Sequence, residues 1–524
     1  MSYDVIIIGA GISGLTTAYE LKKKDPTVSF LILEARNRVG GRTHTISLKT
    51  ANGFDRWDIG GQWVGSTQYH LLDLLKELDI QTYPQFVDGT KLSQVGGPEI
   101  QTYNSDLPSF SILETFDFVR CIYGLENLVK KVDVLDPMSN KKLIHYDGMS
   151  AAEYIRQNTS TRAVADAVEV AVLTSIGVRP ESISALYLAW YGRAAGKLLN
   201  LFEVKNEGAQ GYRIENCTEV ICSKIIDCIG ADLIQLNQEV TQITVEASNE
   251  DKVTVKTTQG LFVAKRIVIT VPPPQANKID FKAPLSNPKI RLLRNFPMGN
   301  LIKFIVTYHR PFWREKNYSG EIVAAGYTES NSMTPVIVTF DATTQNGNAA
   351  LVGFLHLVWA EKGKSERKSA VLHDLSRYFG HEALHCIDYV DCNWAEEMYS
   401  GGCPVSVLPT GYMNDFAQSI RKPDGPIHWA GTETATVWPG YISGAVEAGI
   451  RVSKEVLEAL GNSTNQSEQK ISNKVTNALL HRRYYPRRRL KKLLKYTAFG
   501  AIAAVLWTVL TQKTKYLNIS LFNK

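Results

Sequence analysis

The segment Gly9-Ala10-Gly11-Ile12-Ser13-Gly14 contains the first residues whose types and spacing indicate chemistry. Gly9 permits a tight turn, Gly11 lets the backbone approach a pyrophosphate, and Gly14 lets a helix pack closely on a strand. Glu34 lies twenty residues after Gly14, where a carboxylate accepts hydrogen bonds from the hydroxyls of a ribose. That carboxylate would repel a 2′-phosphate, so the pattern predicts a dinucleotide other than NADP.

The elements around this segment are those that position such a site. Residues 4–8 are a nearly continuous apolar run, as expected of a strand buried on both faces. A helical pattern follows from Leu15 to Leu21, and residues 30–33 form a second apolar run that ends at Glu34. This order predicts a βαβ unit, in which the N–H groups and the dipole of the helix N-terminus face a phosphate.

Further segments resemble the flavin-containing amine oxidase family over residues 3–460. The flavin-side segments are Glu34-Ala35-Arg36-Asn37-Arg38-Val39-Gly40-Gly41-Arg42-Thr43, residues 58–65, Trp394 with Tyr399-Ser400-Gly401-Gly402-Cys403, residues 431–435 and residues 438–449. Residues 296–303 are similar to the strand whose lysine lies near flavin N5, and residues 208–210 to a stretch with a substrate-side glutamine. Cys403 and the C-terminal tail make the resemblance closest to the membrane-bound monoamine oxidases of this family.

The resemblance implies FAD as the cofactor, held covalently by a bond from the sulfur of Cys403 to the 8α carbon of the flavin. The residues that it implies for FAD binding are Gly9, Gly11, Ser13, Gly14, Glu34, Ala35, Arg36, Gly40, Gly41, Arg42, Gly60, Gly61, Gln62, Trp63, Val240, Cys403, Gly431, Thr432, Glu433, Gly440, Tyr441 and Ile442. Among them, Arg42 is expected to add positive charge beside the diphosphate. The catalytic residues that it implies are Lys303, which would hold a water near flavin N5, Tyr441, which would face the amine, and Trp394. The substrate-side residues are Trp63, Phe202, Gln210, Pro404 and Tyr441.

The implied activity is oxidative deamination of primary arylalkylamines, in which the amine, O2 and water give aldehyde, ammonia and H2O2. Monoamine oxidases build an aromatic cage from two tyrosines, of which this chain retains Tyr441 and replaces the other by Pro404. Trp63 also stands in place of a tyrosine, and Glu215-Asn216 replaces a Gly-Gly pair. Two alternatives therefore stay open: a polyamine or other secondary-amine oxidase with a reshaped pocket, and a membrane-tethered FAD-binding protein without amine turnover.

The fold predicted from these patterns and the resemblance is α/β, with a discontinuous Rossmann-like FAD-binding domain and an α+β substrate domain. The FAD-binding domain is expected over residues 1–86, 215–290 and 390–460, and the substrate domain over residues 87–214 and 291–389. Local patterns predict helices over residues 163–172, 184–193 and 442–460, and strands over residues 253–257, 266–271, 301–308 and 350–358. The resemblance also allows a homodimer.

The segment His381-Glu382-Ala383-Leu384-His385 matches the zinc-binding pattern HExxH. That chemistry needs both histidines on one helix face together with a third ligand. Here the segment lies between a helix end and a strand, and no third histidine follows it. The seven cysteines form no CxxC pair, which disfavours a cysteine zinc site and a disulfide framework and suits a reducing compartment. We therefore predict no metal.

The positive net charge of +6 comes from one short cluster in the C-terminal tail. The cluster consists of Arg482, Arg483, Arg487, Arg488, Arg489, Lys491, Lys492 and Lys495. The rest of the chain is close to neutral, so no nucleic-acid partner is predicted.

The composition changes after residue 460, where residues 461–480 are predicted to be a polar linker and residues 481–524 a basic cluster followed by a membrane anchor. Residues 496–510 carry no charge and would form a helix of about 22 Å. This is short of the ~30 Å hydrocarbon core, but Lys495 and Lys513 can extend it by snorkelling. We predict a single C-terminal helix in the mitochondrial outer membrane, with membrane lipids as partner and the catalytic body facing the cytosol. A buried amphipathic helix and an RNA-binding tail are the competing interpretations.

Overall fold

The computed structural model describes residues 2–105, 108–202, 208–246, 249–327 and 333–461, with the side chains of residues 249–251 left out. The strands are β1 (Ser2–Ile8), β2 (Phe30–Leu33), β3 (Thr45–Thr50), β4 (Gly53–Asp58), β5 (Trp63–Val64), β6 (Thr82–Pro84), β7 (Thr90–Gln94), β8 (Gln101–Tyr103), β9 (Tyr212–Ile214), β10 (Ile234–Gln235), β11 (Val240–Glu246), β12 (Asn249–Thr257), β13 (Leu261–Ile269), β14 (Asp280–Lys282), β15 (Ile302–Thr307), β16 (Tyr318–Ala324), β17 (Val336–Asp341), β18 (Ala350–Leu355), β19 (Asp388–Asn393) and β20 (Ile427–Trp429). The helices are α1 (Ile12–Lys24), α2 (Tyr69–Glu77), α3 (Ile112–Val129), α4 (Ala151–Asn158), α5 (Arg162–Ile176), α6 (Ala185–Ala194), α7 (Leu199–Phe202), α8 (Glu219–Ile229), α9 (Pro273–Ala276), α10 (Asn287–Arg294), α11 (Phe312–Glu315), α12 (Lys364–Phe379), α13 (Met413–Ser419) and α14 (Ile442–Ala459).

An eight-stranded sheet contains the predicted βαβ unit. Its order is β10-β2-β1-β13-β12-β11-β14, with β20 paired to β13. Strand β1 is parallel to both β2 and β13, and residues 5–7 at its centre are fully buried. Helices α1 and α14 pack against each other in the core on one face of this sheet, together with α2 and α8. A continuous apolar strand is thus buried on both faces, as its sequence predicted.

A seven-stranded sheet forms the second layer of the site, in the order β19-β15-β18-β17-β16-β7-β8. Each pair of adjacent strands from β19 to β16 is antiparallel, whereas β7 is parallel to β16. Helix α12 covers one face of this sheet, and helix α5 packs against β16 and β17. Two smaller sheets, β3-β4 and β5-β9-β6, complete the strand pairing of the described residues.

The two large sheets take their strands from different parts of the chain. The eight-stranded sheet takes its strands from residues 2–33, 234–282 and 427–429, while the seven-stranded sheet uses residues 90–103 and 302–393. Strand β19 crosses the boundary that was predicted between residues 389 and 390. The predicted helices and strands correspond to α5, α6, α14, β12, β13, β15 and β18, with ends shifted by a few residues.

The described residues, which end at 461, all belong to one compact unit. The basic cluster and the predicted anchor lie outside the described residues. Within the described ranges, none of the helices combines the length and the apolar character that a membrane span requires.

Candidate active site

One cavity of about 430 Å³ joins the two large sheets. It begins at the glycine turn after β1, passes residues 59–63 and the start of α14, and ends between α5 and the seven-stranded sheet. Every residue implied for the site lines this cavity except Gly14 and Glu433. The sequence-derived set is therefore brought together in one continuous space.

The glycine turn and Glu34 form one end of the cavity. Gly9 has φ +104°, a left-handed conformation that glycine adopts without strain. A side chain at Gly14 would come within 2.0 Å of the carbonyl oxygen of Gly9, so Gly14 lies behind the turn and serves its packing. The carboxylate of Glu34 accepts hydrogen bonds from the backbone N–H groups of Ala10, at 2.7 Å, and Arg36, at 2.9 Å. These bonds fix the carboxylate at the end of β2, where a ribose could reach it.

Arg42 has a different environment from the one expected. Its guanidinium donates to both carboxylate oxygens of Glu433, at 2.7 and 3.2 Å, and to the carbonyl oxygen of Pro404 at 2.7 Å. Glu433 in turn accepts from the backbone N–H of Ser406. Glu433 balances the charge of Arg42, which gives this arginine a structural role. Its expected contribution of positive charge beside a diphosphate stays a prediction, since Arg42 also lines the cavity. The pair joins the loop after β2 to the loop that carries Cys403.

Lys303 lies on β15 and is buried at the cavity wall. Its ammonium donates to the carbonyl oxygens of Asp58 and Gly60, both at 2.7 Å, and to Oε1 of Gln62 at 2.6 Å. Burial lowers the pKa of Lys303 to about 7, whereas three acceptors favour its protonated form. All three ammonium protons are thus directed at protein atoms. Lys303 therefore holds the loop of residues 58–62 in place, and the sequence did not predict this role. The expected contact between Lys303 and a water stays a prediction.

Cys403 is held in the wall by close backbone packing. Its N–H donates to the carbonyl oxygen of Gly299 at 2.9 Å, and a side chain at Gly402 would come within 2.2 Å of that same oxygen. A side chain at Gly177, which follows α5, would clash with the Cys403 carbonyl oxygen at 2.5 Å. Burial raises the pKa of the Cys403 thiol to about 12. Because Gly177 and Gly402 have no side chains, the backbone can pack closely around Cys403, which lines the cavity.

Aromatic side chains line the middle of the cavity. The ring of Trp63 lies edge-on to Phe340, with centroids 5.2 Å apart, and 6.3 Å from Phe354. The ammonium of Lys303 is 5.3 Å from the Trp63 centroid. Tyr441, which precedes α14, lies edge-on to Trp438 at 4.9 Å. The wall therefore offers π faces to an apolar amine, although Pro404 contributes none.

Two buried amide groups on the cavity wall have unused hydrogen-bonding capacity. Gln210 donates to the carbonyl oxygen of Leu201, but its own Oε1 has no partner among the described residues. Gln62 accepts from Lys303, while its NH2 group has no partner within the same residues. Buried polar groups are normally paired. The two orphaned atoms thus indicate that a polar ligand completes this wall.

Several lining residues were not predicted. On the dinucleotide side they are Thr270, Val271, Pro272, Gln275, Gln238 and Glu239, and on the opposite side Ala167, Val170, Ala171, Thr174, Glu321, Val323, Val338, Phe340 and Phe354. Trp394, which was placed in the catalytic set, donates from Nε1 to the carbonyl oxygen of Ile59 at 3.3 Å. It therefore supports the same loop as Lys303.

The HExxH segment lies apart from the cavity. Residues His381–Leu384 form a 3-10 helix, so the two histidines do not share a face of an α-helix. Glu382 pairs with Lys316 at 2.8 Å. Across the described ranges, no group of three or more His, Cys, Asp or Glu side chains is arranged to hold a metal ion.

Comparisons with known proteins agree with this geometry. Residues 12–457 match the model of the family described as flavin containing amine oxidoreductase. The chain is 32% identical over 475 residues to a probable flavin-containing monoamine oxidase A of Dictyostelium discoideum, covering 88% of this chain and 99% of that protein. It is 30% identical over 518 residues to amine oxidase [flavin-containing] A of Equus caballus, covering 97% and 96%. The solved structure of cyclohexylamine oxidase from Brevibacterium oxydans has a TM-score of 0.80 at 30% identity, covering 88% of this chain and all of the other.

Proposed function

Since the chain belongs to the family of flavin-containing amine oxidoreductases, and is therefore a flavin-dependent amine oxidase, we propose that it deaminates primary arylalkylamines. The observation that carries the proposal is the single cavity, which connects the glycine turn and Glu34 with Cys403 and then with the aromatic wall around Trp63 and Tyr441. The two ends of the cavity differ in chemistry. One end offers backbone hydrogen bonds to a dinucleotide, and the other offers apolar rings to an amine.

The residues present fit FAD. The turn at Gly9 and Gly11 leaves the backbone open at the N-terminus of α1, where N–H groups and the helix dipole favour a pyrophosphate. Glu34 would accept from ribose hydroxyls, and residues 440–442 at the start of α14 would direct N–H groups at the flavin ring. When bound, FAD would accept two electrons from the amine and pass them to O2.

The chain's own residues bind and orient the amine. The orphaned Oε1 of Gln210 is suited to accept an N–H of the substrate, while Trp63, Phe340 and Tyr441 confine its apolar part. Burial raises the pKa of the Tyr441 hydroxyl, so this group stays neutral and can donate or accept a hydrogen bond. The balanced reaction is amine, O2 and water to aldehyde, ammonia and H2O2.

The proposal is tested by adding amines to the holoenzyme without oxygen. Bleaching of the flavin spectrum by 2-phenylethylamine or benzylamine, followed by stoichiometric H2O2 on admission of air, is the expected result. Diamines and secondary amines are included in the same panel. Bleaching by those amines alone would replace the proposed substrate class, and bleaching by none of them would refute amine turnover.

We also propose that FAD is linked covalently through Cys403. Its support is the Ser-Gly-Gly-Cys segment and the position of Cys403 in the wall of the same cavity that residues 59–62 line. Formation of the link replaces one S–H and one C–H bond by a C–S bond, and O2 accepts the two electrons and two protons that are released.

Replacing Pro404 by tyrosine is expected to raise kcat/KM for small arylalkylamines several-fold. The added ring would lie in the cavity with Tyr441, and one aromatic contact contributes about 0.5–1.5 kcal/mol. Steady-state H2O2 release measures the change. Pro404→Ala is the matched control, since it also removes the proline but adds no ring. A lower kcat/KM for every amine in Pro404→Tyr would show that the proline suits another substrate.

The last part of the proposal concerns location. Residues 496–510 are proposed to insert as one C-terminal helix in the mitochondrial outer membrane, with the catalytic body in the cytosol. The support is the uncharged run itself, the basic residues before it, and Lys513, Lys515 and Lys524 after it. The basic cluster would also rest on anionic headgroups. Assembly into a homodimer remains a prediction, which analytical ultracentrifugation would test.

A fluorescent protein fused to residues 480–524 is expected to be retained at mitochondria after washes with carbonate and with high salt. An inserted helix resists both treatments, whereas a purely electrostatic contact is screened by salt. The matched control replaces two residues at the centre of the apolar run, Ala503→Lys and Ala504→Lys, and leaves the basic cluster intact. Release of the unmodified fusion by salt, or a diffuse signal, would reject the anchor.

A further inference from the structure

The cavity wall carries a carboxylate that deamination does not use. Lys303, Phe354, Val338 and Val323 lie opposite one another on β15, β18, β17 and β16, and all four line the cavity. Glu321 precedes Val323 by two residues on β16, faces the same side of the sheet, and lines the cavity as well. Three strand spacings of about 4.8 Å separate β16 from β15 by roughly 14 Å. Glu321 therefore stands at the end of the substrate region remote from Lys303.

Glu321 is fixed by two neighbours on the adjacent strands. Lys91 on β7 places its ammonium 3.0 Å from one carboxylate oxygen, and Tyr103 on β8 donates to the other at 3.1 Å. All three side chains are buried. Of the three, Glu321 is the one that lines the cavity. The contact with Lys91 is an ion pair, and the carboxylate oxygen that makes it accepts no hydrogen bond within the described residues. A carboxylate has about four lone-pair sites, so acceptor capacity remains on Glu321.

We propose that Glu321 determines specificity by accepting a hydrogen bond from a neutral donor, such as a ring hydroxyl, at the end of the substrate remote from the amine. This inference rests on the proposed function, because it assigns a substrate class to the same cavity. A substrate that lacks the donor leaves a buried acceptor unpaired, and sites of this kind discriminate strongly between analogues that differ by one hydroxyl.

The ion pair between Lys91 and Glu321 favours a neutral hydrogen-bond donor over a second ammonium group as the partner of Glu321. Lys91 already balances Glu321, so a second cation would leave an uncompensated positive charge in the cavity. The neighbouring wall consists of Val323, Val338, Phe340 and Phe354, which cannot solvate such a charge. A hydroxyl adds no net charge and still forms a hydrogen bond to an ionised acceptor, which is stronger than a bond between neutral groups.

The experiment compares amines that differ only by the hydroxyl, using the full-length holoenzyme. The pairs are 2-phenylethylamine with tyramine, and the longer tryptamine with 5-hydroxytryptamine. We expect kcat/KM to favour the hydroxylated member of at least one pair by about tenfold or more. In the double variant Lys91→Met/Glu321→Leu this ratio should fall to near one, while kcat/KM for the unhydroxylated amine changes little. Both charges are removed together because a lone buried charge would destabilise the fold.

The readout is a ratio within one protein preparation, so partial loss of folded enzyme does not affect it. Dissociation constants for the same pairs, obtained from perturbation of the flavin spectrum, keep the test valid even if none of the amines is oxidised. A ratio that is equal in the wild type and the double variant would leave Glu321 as a link between β16 and β7 only. If the wild type prefers an α,ω-diamine and the double variant loses this preference, Glu321 binds a second cation, and the proposal of a neutral donor is wrong.

Discussion

Cys403→Ala is expected to release all of its flavin to the supernatant on acid precipitation, whereas the wild-type protein stays yellow in the pellet. Denaturation removes every non-covalent contact of the cavity, so only a covalent bond can retain the colour. Alanine lacks the sulfur and keeps the small volume that the adjoining glycines require. Absorbance of pellet and supernatant measures the outcome, and mass spectrometry of a tryptic peptide locates the added mass.

Two other cysteines provide matched controls for this variant. Cys392 lies on β19 opposite Lys303, and Cys222 would lie 3.7 Å from a side chain added at Gly40, so each is next to a residue of the cavity wall without lining the cavity itself. Cys392→Ala and Cys222→Ala are expected to keep their flavin in the pellet. Loss of colour from the wild-type pellet would reject the link, and loss in a control variant would assign it to another sulfur.

The rate of covalent attachment is expected to rise with pH. Burial raises the pKa of the Cys403 thiol to about 12, so the reactive thiolate is a small fraction at neutral pH and increases about tenfold per pH unit below that pKa. Incorporation of FAD into protein expressed without flavin, followed over pH 7–9, measures this slope. The nearby guanidinium of Arg42, which stays charged over this range, favours the thiolate and partly offsets the rise in its pKa.

The dinucleotide half of the site could be predicted because its signals are local. The run of residues 4–8, the spaced glycines and Glu34 each reflect a constraint within one βαβ unit, and the structure places them as those constraints require. The triple proline after β13 is a signal of the same kind. Parallel strands end at the same edge of a sheet, so residues 270–272 could have been assigned to the cavity from the strand that precedes them.

On the opposite side, the resemblance supplied five residues, but the wall formed by α5 and the seven-stranded sheet could not be predicted because its signals are not local. Ala167, Val170, Ala171 and Thr174 form one face of α5, and an apolar helix face has the same pattern whether it covers a core or a cavity. Likewise, the pairing of Arg42 with Glu433 joins residues 391 positions apart, and neither residue type specifies the other. Tertiary packing decides both, so the sequence alone did not indicate that Arg42 pairs with a carboxylate.

Lys303→Met is expected to lower turnover by on the order of 100-fold while FAD remains bound. Methionine fills a similar volume but cannot donate the three hydrogen bonds to Asp58, Gly60 and Gln62. The loop of residues 58–62 loses its fixed position, and with it the position of Trp63 at the substrate and of any water near the flavin. Stopped-flow absorbance measures flavin reduction by the amine and its reoxidation by O2 as separate rates.

Lys289→Met is the matched control, because Lys289 is also a buried lysine whose pKa is lowered to about 7 by burial, but it packs 4.0 Å from the Trp429 ring and does not line the cavity. If the two variants lose thermal stability alike and only Lys303→Met loses turnover, the effect belongs to the site. A slower reoxidation with unchanged reduction would assign Lys303 to the oxygen step, as the resemblance implies. A loss in both steps would show that its main contribution is the position of the loop, and unchanged turnover would make Lys303 an ordinary core lysine.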